Sequence, residues 1–441
     1  MKQNSKKFKI TTLGCKVNQS ESESIARQLA DSDMISAGVD DQADIFIVNT
    51  CTVTGKAAMQ SRQAVRQAIR SNPKADIVVT GCYAQTAPEE IKQIEGIHTI
   101  VGHGDKHRIA EMVRSNFCRR CEPQESVRRK QRFEQLPAVG IGNRARPLLK
   151  IQDGCSAFCT YCIVPSARGP SRSLPVEAAV EGITRLKSAG YQEVVLTGIH
   201  LGCYGHDLNP PSDLLSLLKH IQYARTIERI RLSSIEPREI STEMIRFVAR
   251  SDSKTARICP HFHIPLQSGD NDILRRMHRP YTREFFKGLV EEIHQHVPQA
   301  ALGVDVLIGF PGETEDAFKR TYSLIQELPV TYLHVFPFSA RKGTAAFNYP
   351  DRVSAAVVQQ RCRKIRQLGN IKKSIFYNKF MNKKLEVLIE SNSTFADGYV
   401  KGMSSNYIPV LVQSDPTLIH SIVQVKVQQV DANLNVIAKP V

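Results

Sequence analysis

The 441-residue chain has no stretch near the roughly 18 consecutive apolar residues that a membrane span needs, and residues 1–10 carry lysines but no apolar segment of the kind that directs secretion. Neither membrane insertion nor export is expected, and a cytoplasmic location is. There is no internal repeat or low-complexity tract. With 41% hydrophobic and 23% charged residues, the composition excludes collagen-like, disordered and small disulfide-scaffold proteins. Acidic residues are in short supply, 43 against 59 Lys and Arg, which leaves a net charge of +16. Such an excess suggests a polyanionic partner such as nucleic acid.

The surplus is concentrated. Residues 119–150 hold nine Lys and Arg against three Glu, and residues 352–384 hold ten against no acid. The rest of the chain is neutral, so each window is either a solvated basic helix face or a phosphate-contacting surface. In the second window, Arg361, Arg363, Lys364, Arg366, Lys372 and Lys373 are the candidate nucleic-acid contacts.

Apolar runs at 8–13, 44–49, 76–80 and 98–101 alternate with helical periodicity at 20–30, 56–70, 88–95 and 106–114, which predicts an α/β unit with a doubly wound parallel sheet over 6–118. A basic connector at 119–140 follows. Over 141–371, six strands are expected near 148–152, 194–197, 230–234, 261–266, 302–310 and 332–338, with helices between them, and six βα units fit a partial (β/α)6 barrel of the TIM type. A basic helix at 353–373 leads to five short runs at 385–389, 398–401, 407–413, 422–429 and 435–439, expected to form a small OB-like β-barrel over 374–441.

Eleven cysteines in a chain kept in a reducing compartment point to thiolate ligation rather than disulfides. Cys155, Cys159 and Cys162 form a CxxxCxxC loop directly after the first strand of the six-unit region, a spacing that wraps three thiolates around an iron–sulfur cube and leaves one iron open. A zinc knuckle short of one ligand is the competing reading. Cys15, Cys51 and Cys82 each follow a predicted parallel strand of the first unit, and because the carboxyl ends of such strands share one edge, these three thiolates can converge as well. Cys118 and Cys121 form a lone CxxC, while Cys203, Cys259 and Cys362 have no partner spacing and read as core or incidental residues.

These blocks resemble the radical S-adenosylmethionine (SAM) enzymes and, through the three additional N-terminal cysteines, the methylthiotransferases within them. Thr197-Gly198-Ile199-His200-Leu201-Gly202, Leu232-Ser233-Ser234-Ile235-Glu236-Pro237, His263-Ile264-Pro265-Leu266-Gln267-Ser268-Gly269 and Ile308-Gly309-Phe310-Pro311-Gly312-Glu313-Thr314-Glu315 are similar to that family's strand-end signatures. The resemblance runs along almost the whole chain and implies a methylthiotransferase domain, a radical SAM core and a C-terminal RNA-binding TRAM barrel. Gly14-Cys15-Lys16-Val17-Asn18 is similar to the branch acting on N6-threonylcarbamoyladenosine; the isopentenyladenosine branch usually has GCQMN, and the branch acting on a ribosomal-protein aspartate GCPKN. The chain departs from the common GxIxGxxE strand, with Asp305 at its first position and Glu313 one place late.

The resemblance implies two [4Fe–4S] clusters. One, on Cys155, Cys159 and Cys162, binds SAM and yields a 5′-deoxyadenosyl radical; the other, on Cys15, Cys51 and Cys82, presents the sulfur. The reaction is C2 methylthiolation of the modified adenosine next to the anticodon of tRNA, a C–H substitution for which acid–base pairs do not suffice. It implies no catalytic residue beyond the cluster ligands. Thr197, Gly198, Ser234, Glu236, His263 and Gln267 are the expected SAM contacts. The expected partners are the tRNA anticodon stem-loop, an electron donor such as flavodoxin or ferredoxin, and a sulfur donor. A noncatalytic RNA-binding protein with zinc on its cysteines is the alternative from another class.

Overall fold

The computed structural model describes residues 5–38, 41–115, 133, 144–251 and 256–441. Cys118, Cys121 and the connector, Phe133 apart, lie outside the described residues. Among the described residues, no helix is long and apolar enough to cross a membrane.

The first sheet comprises β1 (Lys7–Thr12), β2 (Ile35–Ser36), β3 (Ile45–Thr50), β4 (Asp76–Gly81) and β5 (Thr99–Val101). Every pairing is parallel and the order is β2-β1-β3-β4-β5, a doubly wound arrangement with its crossover reversal between β1 and β3. All six residues of β3 are buried, as expected of a central strand covered on both faces. Helices Lys16–Ala30 and Gly55–Ser71 leave the carboxyl ends of β1 and β3, the second capped by Thr54, whose side chain accepts from Ala57 N. Two short elements escape the periodicity reading: edge strand β2 and the helix Cys82–Thr86.

The central region is an arc of parallel strands. β6 (Leu148–Lys150), β9 (Glu193–Thr197), β10 (Arg229–Leu232) and the short β11 (Arg257–Ile258) form one hydrogen-bonded segment; β12 (His261–Gln267), β13 (Ala301–Ile308) and β14 (Tyr332–Pro337) form the other. The segments meet where Ile235 N donates to His263 O at 2.9 Å. Two antiparallel strands of two residues each, β7 (Gln152–Asp153) and β8 (Arg172–Ser173), close the base of the loop that carries Cys155. The last helix runs over Ala355–Asn378, beginning later and extending further than the helix expected at 353–373.

The C-terminal strands β15 (Lys384–Asn392), β16 (Tyr399–Ser404), β17 (Pro409–Gln413), β18 (Ile422–Val430) and β19 (Val436–Pro440) close into a five-stranded barrel. It docks on the amino ends of the arc strands. Arg231 Nη2 donates to Ser404 O at 3.0 Å, Arg257 pairs with Glu386 at 3.0 Å, and Tyr407 stacks on His261 with ring centroids 4.2 Å apart.

Candidate active site

Cys15 is the exposed N-cap of helix Lys16–Ala30, Cys51 is the buried residue following β3, and Cys82 opens its short helix at the end of β4. The turn that gathers them depends on Gly14, whose φ is +102°; a Cβ there would lie 2.9 Å from Cys51 Cβ and 3.0 Å from its Sγ. Burial pushes the Cys51 thiol up to about 11, and Cys82 and Cys15 add to the shift. Burial likewise raises Cys82.

Cys155, Cys159 and Cys162 share the loop held by β7 and β8. Gly154 turns it at φ +74°, with no room for a Cβ, which would stand 2.0 Å from Pro170 O. Cys155 N donates to Gly169 O at 3.0 Å and Cys162 N to Cys159 O at 3.0 Å. Burial moves the Cys162 thiol up to about 12, with Cys159 and Cys155 contributing. Each triplet therefore crowds three thiols where a thiolate needs a neighbouring cation, a donor set suited to an iron–sulfur cube.

Of the strand-end residues, Thr197 ends β9 and Gly198 follows it against Gln152, whose Oε1 accepts from His200 N at 2.8 Å. Ser234 and Glu236 follow β10, and Glu236 pairs with Arg279. Arg279 Nη1 also donates to Cys159 Sγ at 3.1 Å. Gln267 ends β12 at φ +63°. His263 lies within β12, its Nε2 bonded to Asp305 Oδ1 at 2.6 Å, and His334 Nδ1 approaches the same oxygen at 3.1 Å.

Several residues at the site were not among the expected contacts. His200 Nδ1 is 3.4 Å from Cys155 Sγ and its Nε2 is 2.5 Å from Glu239. Cys203, read as incidental, stands 3.5 Å from that carboxylate. Lys16 is partly buried, and its ammonium is lowered to about 8 by burial, with Arg146 and Arg231 adding.

The two cysteine loops are tied by a buried ionic seam. Arg168, fully enclosed, donates from Nη1 to Glu21 Oε1 at 2.9 Å and Asp153 Oδ1 at 2.8 Å, and from Nη2 to Asn18 Oδ1 at 2.5 Å. Lys106 and Lys150 complete the pairing of Glu21 at 2.5 and 3.1 Å, and Arg172 that of Asp153 at 3.0 Å. Against the cost of burial, these cations hold both carboxyls well below their ordinary range. The seam thus joins a residue three places after Cys15 to one two places before Cys155.

The basic helix needs correction. Arg361 is buried and spends its charge on Glu313 at 2.7 Å and Glu315 at 3.0 Å, so it is not a surface phosphate contact. Lys372 Nζ caps two carbonyls, Gln326 O at 2.5 Å and Leu328 O at 2.7 Å. Arg363, Lys364 and Arg366 are exposed and Lys373 partly so. Glu313, the displaced acid of the β13 loop, also accepts from Gly309 N at 3.2 Å. Gly309 and Gly312 have φ of +81° and +85°, so turn geometry accounts for both.

Comparison with known proteins defines the class first. The chain matches the radical SAM superfamily over residues 149–325 and the uncharacterized protein family UPF0004 over residues 7–102. Its fold is similar to that of the radical SAM methyltransferase TsrM from Kitasatospora setae, with a TM-score of 0.54 at 16% identity over 75% of this chain and 73% of that one. It is 38% identical to threonylcarbamoyladenosine tRNA methylthiotransferase MtaB of Bacillus subtilis over 94% of this chain and 92% of that protein, and 36% identical to the Aquifex aeolicus protein of the same name over 89% and 95%. It is also 33% identical to tRNA-2-methylthio-N(6)-dimethylallyladenosine synthase of Pelotomaculum thermopropionicum over 96% and 95%. The chain belongs to the radical SAM tRNA methylthiotransferases, which use SAM and two [4Fe–4S] clusters.

Proposed function

We propose that this protein transfers a methylthio group to C2 of N6-threonylcarbamoyladenosine beside the anticodon of tRNA. The observation that carries this reading is the presence of two separate three-thiol sites, each at strand carboxyl ends, bridged by one buried seam. Cys155, Cys159 and Cys162 hold the cluster that binds SAM, and Cys15, Cys51 and Cys82 hold the second. When bound, these groups supply the radical that removes the C2 hydrogen and the sulfur that replaces it.

The chain's own residues orient and insulate. Arg279 and His200 hold the thiol loop through Cys159 and Cys155. Thr197, Gly198, Ser234, Glu236 and Gln267 face SAM, with His263 reaching it from deeper in the arc. Exposed Arg363, Lys364 and Arg366, with Lys373, attract the tRNA backbone. Electrons come from a donor such as flavodoxin or ferredoxin and sulfur from a separate donor, in the cytoplasm.

The test is anaerobic reconstitution followed by single cysteine replacements. Wild-type protein should hold about eight irons per chain. Cys15→Ala should lose methylthiolation and retain reductive cleavage of SAM, whereas Cys155→Ala should lose both. A colourless zinc protein, or methylthiolation surviving either replacement, would overturn the reading.

A further inference from the structure

Next to Cys15 stands a lysine that no described residue pairs with. Lys16 is the first residue of its helix, and Ser20, one turn on and hence on the same face, donates to Leu148 O of β6 at 3.3 Å. That face is turned to the strand arc. Lys16 therefore reaches from the Cys15 corner toward the arc interior, yet it makes no hydrogen bond or ion pair among the described residues.

The charges facing it come from four elements: Arg146 before β6, Glu193 of β9, Arg231 of β10 and Asp305 of β13. Each is bonded to other partners and none bonds Lys16. Glu193 is held by Arg229 at 2.5 Å and Arg231 at 2.7 Å, Asp305 by His263 and His334, and Arg146 by Glu390. A partly buried ammonium with no directly bonded counter-anion is unfavourable until one arrives. Here the incoming molecule is the one able to bring it.

Relatives on this scaffold act on adenosines that differ at N6. The dimethylallyl group of one is hydrocarbon, whereas the threonylcarbamoyl group of another ends in a carboxylate. The GCQMN motif that resembles the isopentenyladenosine branch has neutral glutamine where this chain has Lys16. We propose that Lys16 binds the threonyl carboxylate of the modified adenosine and so selects it over hydrocarbon-substituted adenosines; this rests on the function proposed above.

The experiment uses reconstituted full-length enzyme and three anticodon stem-loop RNAs, carrying threonylcarbamoyladenosine, its threonyl carboxamide, or isopentenyladenosine. With wild-type enzyme, converting the carboxylate to the carboxamide should raise KM about thirty- to a hundredfold, the range of one charge-assisted hydrogen bond. Lys16→Gln should raise KM for the acid by a similar factor, leave the carboxamide KM unchanged and keep the iron content. Lys16→Arg should restore much of the loss. Equal KM for acid and carboxamide with the wild-type enzyme overturns the inference without any variant having to fold. Wild-type activity on the isopentenyl RNA alone overturns the proposed substrate and the role of Lys16 together, whereas activity on the acid with no carboxylate dependence overturns only the latter.

Discussion

Replacing Arg168 by methionine removes the centre of the seam while keeping most of its volume. Breaking a buried ion pair from one side costs about 3–5 kcal/mol because the partner charge is stranded. Here Lys106 and Lys150 still face Glu21, and Lys150 and Arg172 still face Asp153, so the expected cost lies near the low end, about 3 kcal/mol or roughly a hundred-and-fiftyfold in local opening. Native-state hydrogen exchange reads this directly: amides of helix Lys16–Ala30 and β6 should lose about two decades of protection while the C-terminal barrel is unaffected. The acid side carries a second signature. Glu21 and Asp153 are depressed in the folded chain, so their contribution is complete above their ordinary values and is lost as pH falls toward the folded ones. With Arg168→Met that acid-dependent loss should shrink. Unchanged protection at neutral pH would refute the reasoning, since an enclosed guanidinium bonded to three partners cannot be removed without effect if the contacts hold the loops together.

Gly154→Ala should place a methyl 2.0 Å from Pro170 O and spoil the Cys155 loop, lowering iron from about eight to about four per chain; a full complement by iron assay would contradict the turn's role. Arg363→Glu combined with Arg366→Glu should weaken tRNA binding and flatten the slope of log affinity against log salt by about two, as measured by filter binding, and an unchanged slope would remove those residues from the RNA surface. The Glu193 carboxyl is held at about 2, burial being outweighed by Arg229 and Arg231. Its contribution to barrel docking should therefore persist above its ordinary value and fade as pH drops toward 2. Near-UV circular dichroism from the Tyr407 environment should follow that course, and a transition centred near neutrality would count against the assignment.

The longer parallel strands were legible because they are short apolar runs, several closed by Thr or Gly as β3 is at Thr50 and β4 at Gly81, and the spacing of Cys155, Cys159 and Cys162 needs no structure to be noticed. What stayed hidden has a common physical cause. β2, β7 and β8 have two residues each, too few for any period to appear. Glu21 and Arg168 are far apart in sequence, and ion pairing leaves no periodic trace. Arg361 looked like its neighbours in a basic window, although Ile365 and Leu368, four and seven places on, are buried on the same face and would have turned it inward. Lys16 was read as a subfamily letter, and only the packing of Ser20 on β6 gives it a direction.

The five-stranded barrel seated on the amino ends of the strand arc acts as a stopper. With Arg229, Arg231, Tyr332 and Tyr407 joining arc and barrel at that end, the arc is covered there and its carboxyl ends, where both sets of thiols sit, are left uncovered by the barrel. A nucleoside therefore approaches from the thiol side, opposite the barrel.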